Sequence, residues 1–141
     1  CNSKINKTNK ESTSEKKLKE ETRNLLKDLK KDMSDQNLNN YIKSVINISF
    51  LTNKYINDEE PWKLKNTDKE KMNNILYLSL EQIAKISILL GPIIPNSSSK
   101  VLDALNINIK LRNLSFIDDK KLFDDEIKIN DLNILFKKIA Q

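Results

Sequence analysis

Apolar residues recur along most of this chain at helical intervals. Between Glu15 and Met33 they are Leu18, Leu25, Leu26, Leu29 and Met33, at steps of 7, 8, 11 and 15 from Leu18. Those steps share one face of a helix. Ser34 and Asp35 supply a break and a cap for the next helix. That helix is predicted from about Asn37 to Asn57, with Leu38, Tyr41, Ile42, Val45, Ile46, Ser49 and Phe50 toward the core. The clearest pattern follows Thr67-Asp68-Lys69-Glu70, read as a capping box in which Thr67 caps and Glu70 reaches back. From there to about Leu90 a wide apolar stripe runs through Met72, Ile75, Leu76, Ser79, Leu80, Ile83, Ile86, Ser87 and Leu90. Gly91-Pro92-Ile93-Ile94-Pro95 bends the chain, and Asn96 or one of Ser97 to Ser99 caps a shorter helix holding Val101, Leu102 and Leu105. After Asn106 the pattern weakens, with a further helical turn expected over Arg112 to Ile117. Beyond it, apolar and polar residues alternate around Ile127, Ile129, Leu132, Ile134 and Leu135, as in an extended arm that packs on something. The fold class is therefore all-α: a bundle of about four helices with short connections and an extended C-terminal arm. Residues 1–14 read as a polar linker or the end of a preceding helix, 15–106 as the bundle and 107–141 as the arm.

The second and third of these helices meet at Asp58-Glu59-Glu60-Pro61-Trp62, which holds the only tryptophan and one of three prolines. A residue before proline is pushed toward extended geometry, so the helix ends near Asp58 to Glu60. Trp62 then sits on a rigid corner. Its indole has two uses, filling the core or offering a flat π face to a partner such as a nucleotide base. Asn53, one turn beyond Ser49 and Phe50, either hydrogen-bonds inside the fold or points into a groove.

Composition narrows the classes. With 141 residues the chain is long enough to bury one core, and its single glycine and three prolines disfavour a turn-rich all-β fold. No apolar run approaches the roughly 20 residues that span a membrane. A net charge of +5 suggests an acidic partner, but all but two of the basic residues are lysine, so much of the basicity belongs to solvated helix faces. One cysteine excludes an internal disulfide, and the absence of histidine excludes a Cys/His metal site and a His-based triad within the chain. The polar start at Cys1 fits a fragment of something longer, or a mature lipoprotein whose cysteine carries a lipid.

Nothing in the sequence makes an active site. One glycine cannot build a phosphate-cradling loop. Asp58, Glu59 and Glu60 read as solvated loop carboxylates. Asp118-Asp119 and Asp124-Asp125-Glu126 lack the spacing of a calcium loop, and Ser97-Ser98-Ser99 has no base beside it.

The order of features carries more than any one of them. An Asn-x-Tyr-x(5)-Pro-Trp-x-Leu corner (Asn53, Tyr55, Pro61, Trp62, Leu64) precedes a long apolar helix, then a Leu-x-Pro-x-x-Pro bend (Leu90, Pro92, Pro95). This succession resembles the C-terminal anticodon-binding domain of bacterial methionyl-tRNA synthetases, class I aminoacyl-tRNA synthetases. Lys128-Ile129-Asn130 and Leu135-Phe136-Lys137-Lys138-Ile139 resemble the family's closing segment, with Lys137-Lys138 departing from its usual Pro-Arg. The resemblance implies that Trp62 stacks on an anticodon base, that Pro61 helps form the pocket, and that Asn53 either touches RNA or buttresses the corner. Lys54, Lys63 and Lys65 flank it and could meet phosphates. It also implies a cytoplasmic parent that binds methionine tRNA, uses ATP and Mg, and carries a catalytic domain. The arm docks either on this bundle or on that domain, and its apolar residues, more than a mobile tail would carry, favour the domain. Neither cofactor nor membrane is expected for this segment. The family's further anticodon-contacting Asn and Arg are absent from this chain. The alternative is a non-catalytic helical interaction module, lipid-anchored through Cys1.

Overall fold

The computed structural model describes residues 4–6, 11–114, 122–123, 126–132 and 135. Four helices dominate: α1 (Thr13–Ser34), α2 (Leu38–Glu59), α3 (Lys69–Leu90) and α4 (Pro95–Ala104). Two short antiparallel strands accompany them, β1 (Lys4–Asn6) and β2 (Glu126–Lys128), paired with Ile5 opposite Ile127. The all-α reading and its helix order hold.

Local chemistry explains the boundaries. Ser12 caps α1 through a full capping box, its hydroxyl accepting from the Glu15 N–H while the Glu15 carboxylate accepts from the Ser12 N–H. Asn37 caps α2 by accepting from the Asn40 N–H, the role assigned by sequence to Ser34 and Asp35. Asp68, not Thr67, caps α3, because its carboxylate accepts from the Lys71 N–H at 2.9 Å. Pro95 opens α4 with no side-chain cap, since its ring already fixes the helical φ and it has no N–H to satisfy; Asn96 and the three serines lie inside the helix.

The three long helices, each about 33 Å by their residue count, bury a continuous core. From α1 come Leu18, Thr22, Leu26 and Leu29, and from α2 Tyr41, Val45, Ile48, Thr52 and Tyr55. On α2 this corrects the predicted face. Leu38, Ile46, Ser49 and Phe50 are exposed, because the steps 41, 45, 48, 52 and 55 define a second, cleaner stripe that wins the core. α3 is buried nearly all round, from Ile75 and Leu78 to Ile88 and Leu89. Its interior polar groups are mostly paired. Ser79 and Ser87 donate to carbonyls one turn back, and Gln82, fully buried, accepts from Thr22 of α1 at 3.2 Å. The Tyr41 hydroxyl donates to the Leu89 carbonyl at 2.6 Å, serving an otherwise orphan group near the end of α3.

Both ends of the chain differ from their readings. Ile5 in the expected linker and Leu122, Phe123 and Ile127 in the expected arm are buried members of the bundle's main core. The Tyr77 and Phe123 rings meet edge to face at 6.2 Å. α4 ends at Ala104, and Asn106, two residues on and at φ 54°, clamps the arm: its amide donates to the Lys128 carbonyl at 2.7 Å, and the Asn130 N–H donates to the Ala104 carbonyl at 2.8 Å. The arm's described part thus packs on this chain's own bundle. The helical turn expected over Arg112 to Ile117 is met by a shorter 3₁₀ turn just before it, Ile109–Leu111; residues 115–117, the Asp118-Asp119 pair and the closing Phe136 to Ile139 lie outside the described residues.

Ile127 is 1% exposed. Ile127→Ala should lower the stability of this chain by about 2–5 kcal/mol, read as a shifted urea midpoint. An unchanged midpoint would mean that the arm does not belong to this core.

Candidate nucleic-acid interface

The corner after α2 is built from backbone constraints. α2 ends at Glu59, where the sequence places it. Glu60 adopts the left-handed region at φ 45°, ψ 56°, rather than the extended geometry expected before proline. That conformation costs a non-glycine residue roughly 1–2 kcal/mol. Local bonds offset it. The Glu60 N–H donates to the Ile56 carbonyl at 3.1 Å, the Glu60 carbonyl accepts from the Lys63 N–H at 2.9 Å, and the Glu60 carboxylate pairs with the Lys63 ammonium at 2.8 Å.

Pro61 then starts a 3₁₀ turn, Pro61–Leu64, in which residues three apart share a face. Pro61 is buried and Leu64 packs on a small core of Leu18, Tyr55, Ile75 and Leu78. With those two turned inward, Trp62 faces out and is 57% exposed. The Thr67 and Asp68 N–H groups both donate to the Leu64 carbonyl, fastening the turn to the start of α3. Of the two uses open to Trp62, the exposed face is the one the fold presents.

Beneath the corner lies a polar cluster. The Glu59 carboxylate accepts from the Ser14 hydroxyl of α1 at 2.5 Å and pairs with Lys71 of α3 at 3.0 Å. The Ser14 hydrogen bond holds its pKa below the ordinary carboxylate value, helped by Lys71 and opposed by burial. Glu59 is therefore not the solvated loop carboxylate expected; its side chain is 16% exposed and ties three helices together. Burial pushes Glu15 up, against the lowering effect of its Ser12 hydrogen bond. Burial, with Glu15 and Glu59 nearby, also pushes the Tyr55 phenol well up, so it stays neutral.

The other candidate residues divide by position. Asn53 and Lys54 lie on the exposed side of α2, one to two turns before its end, and Lys65 is exposed just past the 3₁₀ turn. Asn53, Lys54 and Lys65 make no side-chain hydrogen bond or ion pair among the described residues, so Asn53 takes no part in the core. Lys63 is exposed but paired to Glu60. Among the described residues no acidic or thiol cluster is placed to hold a metal ion, and no helix is long and apolar enough to cross a membrane. Sequence reasoning missed Phe50, which it assigned to the core and which is 67% exposed. The signal was present as two competing apolar stripes on one helix.

Because folding lowers the Glu59 pKa, its ion pair and hydrogen bond contribute stability above the unfolded value near 4.5, and that contribution is lost as pH falls through the folded value. Glu59→Gln should therefore cost on the order of 1 kcal/mol near pH 7 and converge with the parent chain as pH falls through the lowered folded value, measured by urea unfolding across pH. A gap that does not narrow in acid would contradict the assignment.

A family model described as the anticodon binding domain of methionyl tRNA ligase matches residues 5–141. The methionine–tRNA ligase of Rickettsia felis is 45% identical over 76 residues, covering 54% of this chain and 15% of that protein. That of Rickettsia typhi is 33% identical over 102 residues, covering 72% of this chain and 20% of that protein. Among solved structures, the free-state methionyl-tRNA synthetase of Mycobacterium tuberculosis shares the fold at a TM-score of 0.87 and 17% identity, over 98% of this chain and 28% of that one. The chain thus spans well under a third of the length of these relatives. These matches favour the ligase reading over an interaction module. The order of corner, long helix and double-proline bend, the helical fold and a match over nearly the whole chain together establish that this chain belongs to the family of methionyl-tRNA ligase anticodon-binding domains.

Proposed function

We propose that this chain recognises the anticodon loop of methionine tRNA, with Trp62 as a stacking platform for an unpaired base. The observation that carries this reading is the outward-facing indole on a turn whose neighbours Pro61 and Leu64 are held in the core. A fixed platform loses little side-chain freedom when a base stacks on it, and such stacking contributes roughly 1–3 kcal/mol per base. Loop bases suit it because they are already unstacked. Pro61 backs the platform and fixes its approach. Asn53 offers a free amide to a base edge or a ribose. Lys54, Lys63 and Lys65 supply the phosphate contacts, with Lys63 exchanging its Glu60 partner for RNA.

The wider reading concerns a longer, cytoplasmic ligase of which this chain would form the anticodon-binding part. Such a ligase joins methionine to its tRNA at the expense of ATP. Nucleotide and Mg would be held by its catalytic domain, since this chain's lone Gly91 sits at a helix end and lines no phosphate loop. The chain's own task is to bind and orient the loop.

Trp62→Ala should weaken binding of a methionine anticodon stem-loop by roughly tenfold or more while leaving thermal unfolding unchanged. Equal affinities for the two proteins, measured by fluorescence anisotropy at fixed salt, would overturn the role of Trp62.

A further inference from the structure

α2 carries more apolar surface than its core contacts use. Opposite the buried stripe lie Ile46, 45% exposed, and Phe50, 67% exposed and so barer than Trp62 itself. Phe50 forms one wall of a groove of about 450 Å³ between α1 and α2. Leu25 and Leu51, both half-buried, make its floor. Asn24, Asn47 and Lys54 stand on its rim, with Glu21 beside them.

We propose that this groove is a second base subsite, taking another unpaired base of the RNA loop that Trp62 engages. The inference rests on the RNA-binding reading above and adds to it a place and a partner residue. The chemistry matches a base better than a protein helix. A base needs a π face on one side, apolar contact below, and in-plane donors and acceptors at its edge. The Phe50 ring, the two leucines, and the Asn24 and Asn47 amides supply these in turn. An apolar helix would instead leave two amides and two charges facing its buried side. Asn24, Asn47 and Lys54 make no side-chain hydrogen bond or ion pair among the described residues, so none must give up a partner. Glu21 can only accept, which favours a base edge carrying an amino group, and Lys54 suits the adjoining phosphate.

The groove and the corner share one helix, since α2 carries Phe50 in the groove and ends at Glu59 before the turn. Phe50 lies about 14 Å along the helix axis from Glu59, on the order of four nucleotides at a stacked rise of ~3.4 Å. Asn53, Lys54 and Asn57 occupy the exposed face between them. A loop seated on Trp62 can therefore run down α2 and place a later base against Phe50.

The test uses this chain with a fluorescent methionine anticodon stem-loop and three variants, Phe50→Leu, Phe50→Tyr and Trp62→Ala. Phe50 is exposed, and unchanged thermal unfolding would verify that its replacements fold. Phe50→Leu keeps apolar bulk and loses the ring; it should weaken binding about 5- to 10-fold. Phe50→Tyr keeps the ring and should stay within about twofold. Loops carrying a photoreactive base should crosslink to the α2 peptide containing Phe50 as well as to the one containing Trp62. If Trp62→Ala weakens binding but Phe50→Leu does not, and crosslinks form only at the corner, the subsite is wrong and the corner reading survives. If the parent chain binds no loop at all, both fall together. If Phe50→Leu leaves RNA affinity intact but converts a dimer to a monomer in sedimentation, the groove joins two copies of the chain and the proposal is overturned.

Discussion

The burial of α3 on nearly every side is the constraint from which the rest follows. A 22-residue helix carrying Ile75, Tyr77, Leu78, Ala84, Ile88 and Leu89 in its interior must be covered all round. Each large apolar side chain taken from water contributes about 1.5–3 kcal/mol. α1 and α2 cover part of it, α4 another part, and β1 with β2 the remainder, which is why Ile5 and Ile127, 122 residues apart, meet there. Two of the buried polar contacts fit the same scheme. Gln82 is bridged to Thr22 of α1, and the Leu89 carbonyl is taken by Tyr41 of α2.

The functional corner inherits its rigidity from this arrangement. Leu64 is drawn onto Leu78 and Ile75 of α3, and Glu59 is held by Ser14 and Lys71 from the two neighbouring helices. Glu60 is left to make the reversal in left-handed geometry. Trp62 is left outside that packing, with more than half of its surface in solvent. Exposure of so large an apolar group is itself unfavourable, so its position is bought by the fixed contacts on either side of it.

The helices and the corner were legible because their signals are local: 3.6-residue periodicity, prolines and capping residues. The errors came where two local signals competed. Thr67 and Asp68 both cap well, and the side chain that reached an N–H was that of Asp68. α2 has two apolar stripes, and only packing against α1 and α3 selects the one through Ile48 and Thr52. The exposure of Trp62 was readable in principle, since a 3₁₀ turn groups Pro61 with Leu64 and sends Trp62 elsewhere. The polar anchoring of Glu59 was not, because Ser14 and Lys71 lie far from it in the chain. The same holds for the strands, since a three-residue strand such as Lys4–Asn6 has too few positions to show a period.

The most direct test of the central claim is the fluorescence of the single tryptophan, titrated with a methionine anticodon stem-loop and with one altered at its first anticodon base. A solvent-facing platform predicts red-shifted emission from the free chain, quenched by the matched loop and far less by the altered one. Blue-shifted emission indifferent to both RNAs would place Trp62 in the core and contradict the account.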